Sequence, residues 1–355
     1  MNLSRRLYLT LVTLPFGLAV AFMAPNAYAA PKEVRYKEIP LEIKSGDRIL
    51  ISGIRGTIRL NGESQGPAVL RASKTLADKA GTEAAERFEA LSFSMKRDGS
   101  TITIEAKGPD TKIGWGAWLK SNTNPELVLE LKTPAVPIEV SLHEGLIAVQ
   151  NWNESIAASV VSGTIKTVKT EGNLRAQAQR GEVRIESHKG PAEVDSFGAK
   201  LTVQEMEGAL DLTNFGGETS LARVQGRVQM LSHAGASSIS KSSGSLEFAN
   251  GRGALNLSEF DGPVRGRTEL GSVVVGVEGE AEVDVDSDKG NVAVRLPANS
   301  GASLRLHTED GGIVAPEDIR MTTSSTHRAA VGRLPGDGPK GIVAVRSKTG
   351  AIRVR

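Results

Sequence analysis

Between Gly163 and Gly271 the chain repeats one short phrase: a glycine, then apolar side chains at the second and fourth positions after it. Val183/Ile185, Leu210/Leu212, Val228/Met230, Leu246/Phe248, Leu255/Leu257 and Val273/Val275 follow this rule. Alternation with a period of two puts both apolar residues on one face of a short strand, and the mostly polar first and third positions on the other. A further apolar residue often sits in the turn after the strand, as with Met206, Phe215, Val224 and Phe260. The glycines recur in steps of nine, at 163, 172, 181, 190, 208, 217, 226, 235, 244, 253, 262 and 271. Ala199 alone interrupts the series, with Gly198 beside it, and Leu201/Val203 keep the apolar rule there. Gly145 lies two steps upstream, while Gly279 and Gly290 stand one residue off the extended register. The chain holds 39 glycines in 355 residues, so chance does not give this comb. Glycine supplies the positive φ that a sharp corner requires.

An antiparallel meander tolerates turns of differing length and drifts out of register within a few strands. A parallel β-solenoid stacks equivalent residues of successive coils on one another, so it needs strict spacing. The pattern therefore predicts an all-β protein, a parallel β-solenoid (β-helix) of about 18 residues per coil. A three-sided coil is left open. Coils about 4.8 Å apart make the stretch from Gly145 to Pro297, within a repeat region of 136–297, a rod roughly 40 Å long. The raw ends of such a rod need covering. Residues 30–135 are expected to form a β-rich N-terminal cap, with strands at Val34–Ile43, Arg48–Ile51, Thr57–Leu60, Ala68–Ala72, Ala90–Lys96, Thr101–Ala106 and Leu127–Lys132. Asp98-Gly99 reads as a hairpin turn, and the segment from Glu83 to Ala90 as one short helix. Residues 298–355 break the period and are expected to hold C-terminal coils and a cap, with a loop at "THRAAVGRLPGDGPKG" and strands at Ile342–Arg346 and Ala351–Val354.

The first 29 residues call for a separate account. Arg5 and Arg6 precede an apolar run from Leu7 to Ala24, and Ala27-Tyr28-Ala29 fits a small-x-small processing site. This is the pattern of a signal peptide cleaved after Ala29, which predicts export to the periplasm or cell surface with no transmembrane segment after processing. "SRRLYLT" also resembles a twin-arginine signal, with Tyr8 and Thr10 departing from it, so both export routes stay open. The chain carries 43 basic and 41 acidic side chains, and removal of Arg5 and Arg6 leaves the two in balance. No global field then attracts nucleic acid or anionic lipid. Cysteine is absent, which excludes disulfides, thiolate metal sites and lipidation at a cysteine.

Candidate chemistry is sparse. His143, His188, His233, His307 and His327 form no H-x-x-x-H pair, and His188 and His233 fall at turn positions of the comb. Calcium-binding nonapeptide rolls carry an aspartate in every turn, and these turns do not. "EAEVDVDSDKG" sets Glu280, Glu282, Asp284, Asp286 and Asp288 at alternate positions, five carboxylates expected on one outward face. They suit a cation or a basic partner, or a solvated face that discourages further strand pairing. Two outward ladders follow from the register: Arg175, Glu193, Asp211, Gln229, Glu247, Arg265 and Lys166, Arg184, Thr202, Ser220, Ser238, Asn256. Trp115, Trp118 and Trp152 either seal the start of the stack or meet a ligand. Trp115, Trp118, Glu282, Asp284 and Asp286 are the candidate ligand contacts. No cofactor, metal or catalytic motif is predicted.

"SGDRILISGIRGTIRL" (Ser45 to Leu60), the Ala-Ala-Glu-Arg helix followed by a strand and Asp98-Gly99, the "G-x-V-x-V" repeats and the ending "GIVAVRSKTGAIRV" carry a resemblance. Together they resemble the "putative adhesin" family of exported bacterial proteins, domains of unknown function similar to autotransporter adhesin heads. The resemblance implies a parallel β-solenoid at the cell envelope and supplies no catalytic residues. It points to a non-catalytic, adhesin-like binding or scaffold protein whose partner is a cell-surface glycan or an envelope protein. Two alternatives stand beside it: a purely structural envelope protein without external ligand, and a polysaccharide-active β-helix enzyme.

Overall fold

The computed structural model describes residues 32–36, 38–62, 66–76, 82–108, 126–324 and 326–355. Among these, 26 strands accompany one helix, so the chain is all-β. The first part contains β1 (Lys32–Arg35), β2 (Ile39–Leu41), β3 (Arg48–Gly62), β4 (Ala68–Leu76), α1 (Thr82–Ala90), β5 (Ser92–Asp98), β6 (Thr101–Lys107) and β7 (Glu126–Thr133). The repeat region contains β8 (Ile138–Trp152), β9 (Ile156–Glu171), β10 (Leu174–Lys189), β11 (Ala192–Ser196), β12 (Lys200–Glu207), β13 (Leu210–Asn214) and β14 (Thr219–Ser232). It continues through β15 (Ser237–Asn250), β16 (Leu255–Asp261), β17 (Val264–Thr268), β18 (Val273–Val277), β19 (Ala281–Ser287) and β20 (Val292–Arg295).

Pairing in the repeat region is parallel with an offset of 18 residues: Ile138 lies beside Ile156, Ile156 beside Leu174, Leu174 beside Ala192 and Ala192 beside Leu210. The chain thus returns to its own flank after every second glycine step. The comb is two interleaved columns, one per side of the rung. Near its end the offset grows to 19, with Val264 beside Val283 and Val273 beside Val292, which places Gly279 and Gly290 off the earlier register. The alternating apolar residues line the core as the sequence predicts. Leu174, Leu210, Val228 and Leu246 are buried from the first side, and Val183, Leu201, Leu221 and Leu257 from the second. Each such side chain removed from water stabilises the stack by about 1.5–3 kcal/mol.

The two sides close through different corners. Along the second side, alternation slips by one residue. Asn151, Lys169, Ser187, Glu205, Arg223, Lys241 and Glu259 all adopt left-handed backbone, φ between 51° and 57°. Each is an extra residue, in the manner of a bulge, and the next side chain turns inward: Trp152, Thr170, His188, Met206, Val224, Ser242 and Phe260 form one buried column. The corner glycine after it also has positive φ, as at Gly208 (143°). Along the first side, alternation runs unbroken into the corner. A short polar residue ends it, buried, at Ser196, Asn214, Ser232, Asn250 and Thr268. These side chains bond the backbone three residues on. Ala199 N–H donates to Ser196 Oγ at 2.9 Å, Gly217 N–H to Asn214 Oδ1 at 3.1 Å, and Thr268 Oγ1 donates to the Gly271 carbonyl at 2.8 Å. The corner glycine serves close approach here: a Cβ on Gly235 would lie 1.8 Å from the Gly217 carbonyl oxygen.

At both ends the stack departs from chain order. The sequence predicts separate strands at Arg48–Ile51 and Thr57–Leu60. The structure has one, β3, because Gly56 stacks on Gly145 and lets the strand run through the corner. β3 pairs in parallel with β8, across the expected boundary at residues 135/136, and with β6 and β7 on its other flank. Antiparallel pairs lie outside: β4 with β7, β1 and β2 with β4, and β5 with β6. Helix α1 buries Phe88 against Leu76 and Ala84. The C-terminal part contains β21 (Ser303–Thr308), β22 (Ile313–Val314), β23 (Arg320–Thr323), β24 (Arg328–Arg333), β25 (Gly341–Ser347) and β26 (Ile352–Val354). β24 lies within the stretch expected to be a loop, held by antiparallel pairing to β21 and β23. β25 and β26 insert between β19/β20 and β21/β22.

Candidate functional site

Every second residue of a rung points outward, and the register aligns these residues in columns along the stack. Arg175, Glu193, Asp211, Gln229, Glu247 and Arg265 are consecutive partners, as are Lys166, Arg184, Thr202, Ser220, Ser238 and Asn256. The first-side column is charged and cross-linked between rungs. Arg175 pairs with Glu193 at 3.3 Å, and Gln229 Nε2 donates to Glu247 Oε2 at 3.1 Å. In the neighbouring column Gln177 Nε2 donates to Asp195 Oδ2 at 3.2 Å. The second side carries short neutral groups over the middle of the stack.

The first side is also grooved. One cavity of about 480 Å³ runs past Pro137, Asn173, Arg175, Pro191 and Glu193. Another, about 410 Å³, is lined by Val161, Gln179, Phe197 and Phe215, and a third, about 620 Å³, by Leu231, Glu247, Arg267, Asp286 and Arg346. Along the second and third of these an apolar strip is open to solvent: Phe197 is 69% exposed, Phe215 48% and Leu231 50%. The Phe197 and Phe215 rings stack at 5.7 Å between centroids, and His233 continues the column at 6.4 Å from Phe215. Contiguous exposed apolar surface rimmed by polar groups makes this strip the candidate contact surface. This strip is absent from the sequence-based candidates, because the nine-residue pattern groups Phe215 with Met206, Val224 and Phe260 as one class of turn residue. Spacing by 18 separates them: Phe215 belongs to the first-side corner, where unbroken alternation turns the residue after the polar cap outward.

The candidates from the sequence fare differently. Glu282, Asp284 and Asp286 do project from β19, but they lie between basic rungs. Arg265 binds Glu282, and Arg346 binds Asp284 at 2.6 Å and Asp286 at 2.5 Å. Lys348 holds Asp288 at 2.6 Å, and that hydrogen bond keeps the Asp288 carboxyl below the usual carboxylate range. Four of the five carboxylates on this face are thus salt-bridged, and the partners Arg346 and Lys348 come from β25 and the residues just after it, a segment inserted from far along the chain, beyond the reach of local pattern. Glu280 and Asp288 flank the strand rather than belong to it. Trp115 and Trp118 lie outside the described residues. Trp152 is buried, its Nε1 donating to the Val136 carbonyl at 3.1 Å.

His188 is buried with Thr170 Oγ1 2.9 Å from its Nδ1. Burial pushes its pKa down, and the carbonyls of Pro191 and Thr170 offset part of that. His233 faces solvent beside Phe215. Among the described residues, no group of three or more His, Asp or Glu is arranged to hold a metal ion, and no helix is long and apolar enough to cross a membrane.

No family profile and no curated protein matches this chain. Solved structures with a distant likeness include a "putative cell adhesion protein" from Clostridium sporogenes, 11% identical, covering 92% of this chain and 99% of that one, with a TM-score of 0.23. Another is a "putative adhesin" from Parabacteroides distasonis, 11% identical, covering 91% and 97%, with a TM-score of 0.35. A third, a "putative lipid binding protein" from the same organism, is 13% identical, covers 75% and 97%, and has a TM-score of 0.29. At such identities and scores the likeness does not extend to function.

Proposed function

We propose that this chain is a parallel β-solenoid of about 18 residues per coil that serves as an exported, non-catalytic, adhesin-like binding module of the bacterial cell envelope. Its contact surface is the first side of the rungs. The observation that carries this reading is the column Phe197–Phe215–His233, with Leu231 beside it, exposed on consecutive rungs of an otherwise polar face. Solvent-exposed phenylalanines cost solubility and contribute nothing to the core, so a partner gives them their use. The rungs fix the spacing of these groups, which suits an extended partner, a surface glycan or an extended segment of an envelope protein. Adhesion by this surface requires no reacting group. The test is retention of purified residues 30–355 on immobilised envelope polysaccharide and on envelope protein extracts. Saturable retention that Phe197→Ser/Phe215→Ser abolishes supports the reading. Equal retention of both proteins, or depolymerisation of the polysaccharide, removes it.

A further inference from the structure

Residues 341–355 hold a singular place in the stack. β25 and β26 fill one rung between β19/β20 and β21/β22, although β21 and β22 precede them in the chain. Among the described residues, β21 pairs otherwise only with β24, and β22 pairs only with β26. The strand pairing that joins residues 303–333 to the rest of the stack therefore passes entirely through this inserted rung.

The gap it fills is complementary to it in three independent ways. Val343, Val345, Ile352 and Val354 are buried between Val283, Val285, Val292 and Val294 on one flank and Leu304, Leu306 and Ile313 on the other. Arg346 and Lys348 meet Asp284, Asp286 and Asp288. Gly350 fits a corner column that admits no Cβ: one there would lie 2.0 Å from the Gly290 carbonyl oxygen, and one on Gly311 would lie 2.1 Å from that of Gly350. The connection to β24 is "LPGDGPK", residues 334–340, two prolines and two glycines with no strand of its own. That connection spans up to about 25 Å when extended, and it is held to residues 299–302 by backbone bonds that an exchanged segment would have to leave or re-form, Gly338 N–H donating to the Asn299 carbonyl at 2.8 Å and Gly301 N–H to the Pro339 carbonyl at 2.9 Å.

We propose that residues 341–355 are an exchangeable rung, and that the gap between β19/β20 and β21/β22 is an interaction site for the same segment of a second copy of this chain. The complementarity is identical whether the segment arrives from its own chain or from another. Its own segment wins by effective concentration, so exchange grows with protein concentration and whenever the rung opens. Reciprocal exchange gives a closed pair of copies, and one-way exchange links copies end to end.

The absence of cysteine makes the test clean. Ser287 and Ser347 are register partners on adjacent rungs, a separation that a disulfide spans. Full-length Ser287→Cys and Ser347→Cys chains are mixed, held below the melting transition and oxidised. The expected product is a disulfide-linked heterodimer whose yield rises with concentration, about tenfold above a control pair that cannot exchange. The control pair is Ser232→Cys mixed with Asn250→Cys, partners on coils joined in chain order. In a second measurement, a labelled peptide of residues 341–355 should be taken up by the unmodified chain and refused by Ser287→Cys/Ser347→Cys once its own disulfide has formed. Equal crosslinking in the control pair, no heterodimer at any concentration, or no peptide uptake by the unmodified chain would overturn the proposal.

Discussion

The two sides of each rung use the same count of residues and reach opposite surfaces. Both place apolar side chains at the second and fourth positions after a glycine, and both return to glycine nine positions on. On the second side a left-handed residue at a position such as Ser187 absorbs one residue and aims the next, His188, into the core. On the first side the same sequence position, Phe197 or Phe215, points to solvent because alternation was never broken. A buried Ser, Asn or Thr then ties the corner through local hydrogen bonds. One side thus spends its seventh position on packing and presents a face of small polar groups. The other secures its corner with a polar side chain and leaves its seventh position free for contact. Equal spacing is a statement about stacking, and the corner chemistry determines what each face offers.

The largest expected effect comes from making the first-side corner bulkier. Gly235→Ala places a Cβ 1.8 Å from the Gly217 carbonyl oxygen, backbone against backbone, so two rungs must part. Urea denaturation should report a loss of about 4 kcal/mol or more. Gly198→Ala meets only the Gln179 carbonyl at 3.7 Å, and should lie within about 0.5 kcal/mol of the parent. Similar destabilisation by both would show that corner glycines are required in general and not by close approach.

The seventh position gives the next contrast. Phe260→Ala empties a buried site on the second side and should cost about 3–4 kcal/mol. Phe215→Ala should change stability by less than about 0.5 kcal/mol while weakening retention on the partner. A stability loss at Phe215 matching that at Phe260 would erase the distinction between the two sides. The polar cap comes third. Asn214→Ala removes both the acceptor of the Gly217 N–H and the donor to its carbonyl, and should cost about 1–3 kcal/mol in the same denaturation assay.

The smallest effect is one of pH. Burial depresses the pKa of His188 below its ordinary value. Below about pH 6.5 the unfolded chain takes up a proton that the folded chain resists, so stability falls as pH falls. The slope from this one group cannot exceed about 1.4 kcal/mol per pH unit. His188→Met copies Met206, its neighbour in the column, and should flatten the curve between pH 7 and 5 without lowering stability at neutral pH. An unchanged curve would mean that His188 does not titrate against the core.

Strand positions in the repeat region, the inward side chains and the outward ladders were legible because they depend on period and register alone. Val183 and Ile185 are inward for the reason that Leu210 and Leu212 are. The exposed phenylalanines were not legible from a nine-residue frame, though the sequence held the signal. Ser196, Asn214, Ser232, Asn250, Thr268, Ser287, Thr308 and Ser347 each precede a glycine, or Ala199, by three positions, and the second side has no such series. The pairing of Asp284 and Asp286 had no local signal at all, since Arg346 comes from a strand inserted from 60 residues away.

The amino-acid sequence by itself determined the all-β character, the alternation that fills the core and the stacking interval, because each is a periodic property that short-range sterics and hydrophobicity enforce. Only the tertiary structure decided where β3 and β25 enter the stack, and which charges neutralise one another. Those outcomes rest on contacts between segments far apart in the chain. A periodic pattern states that such segments can stack, and their complementarity in space selects the order in which they do.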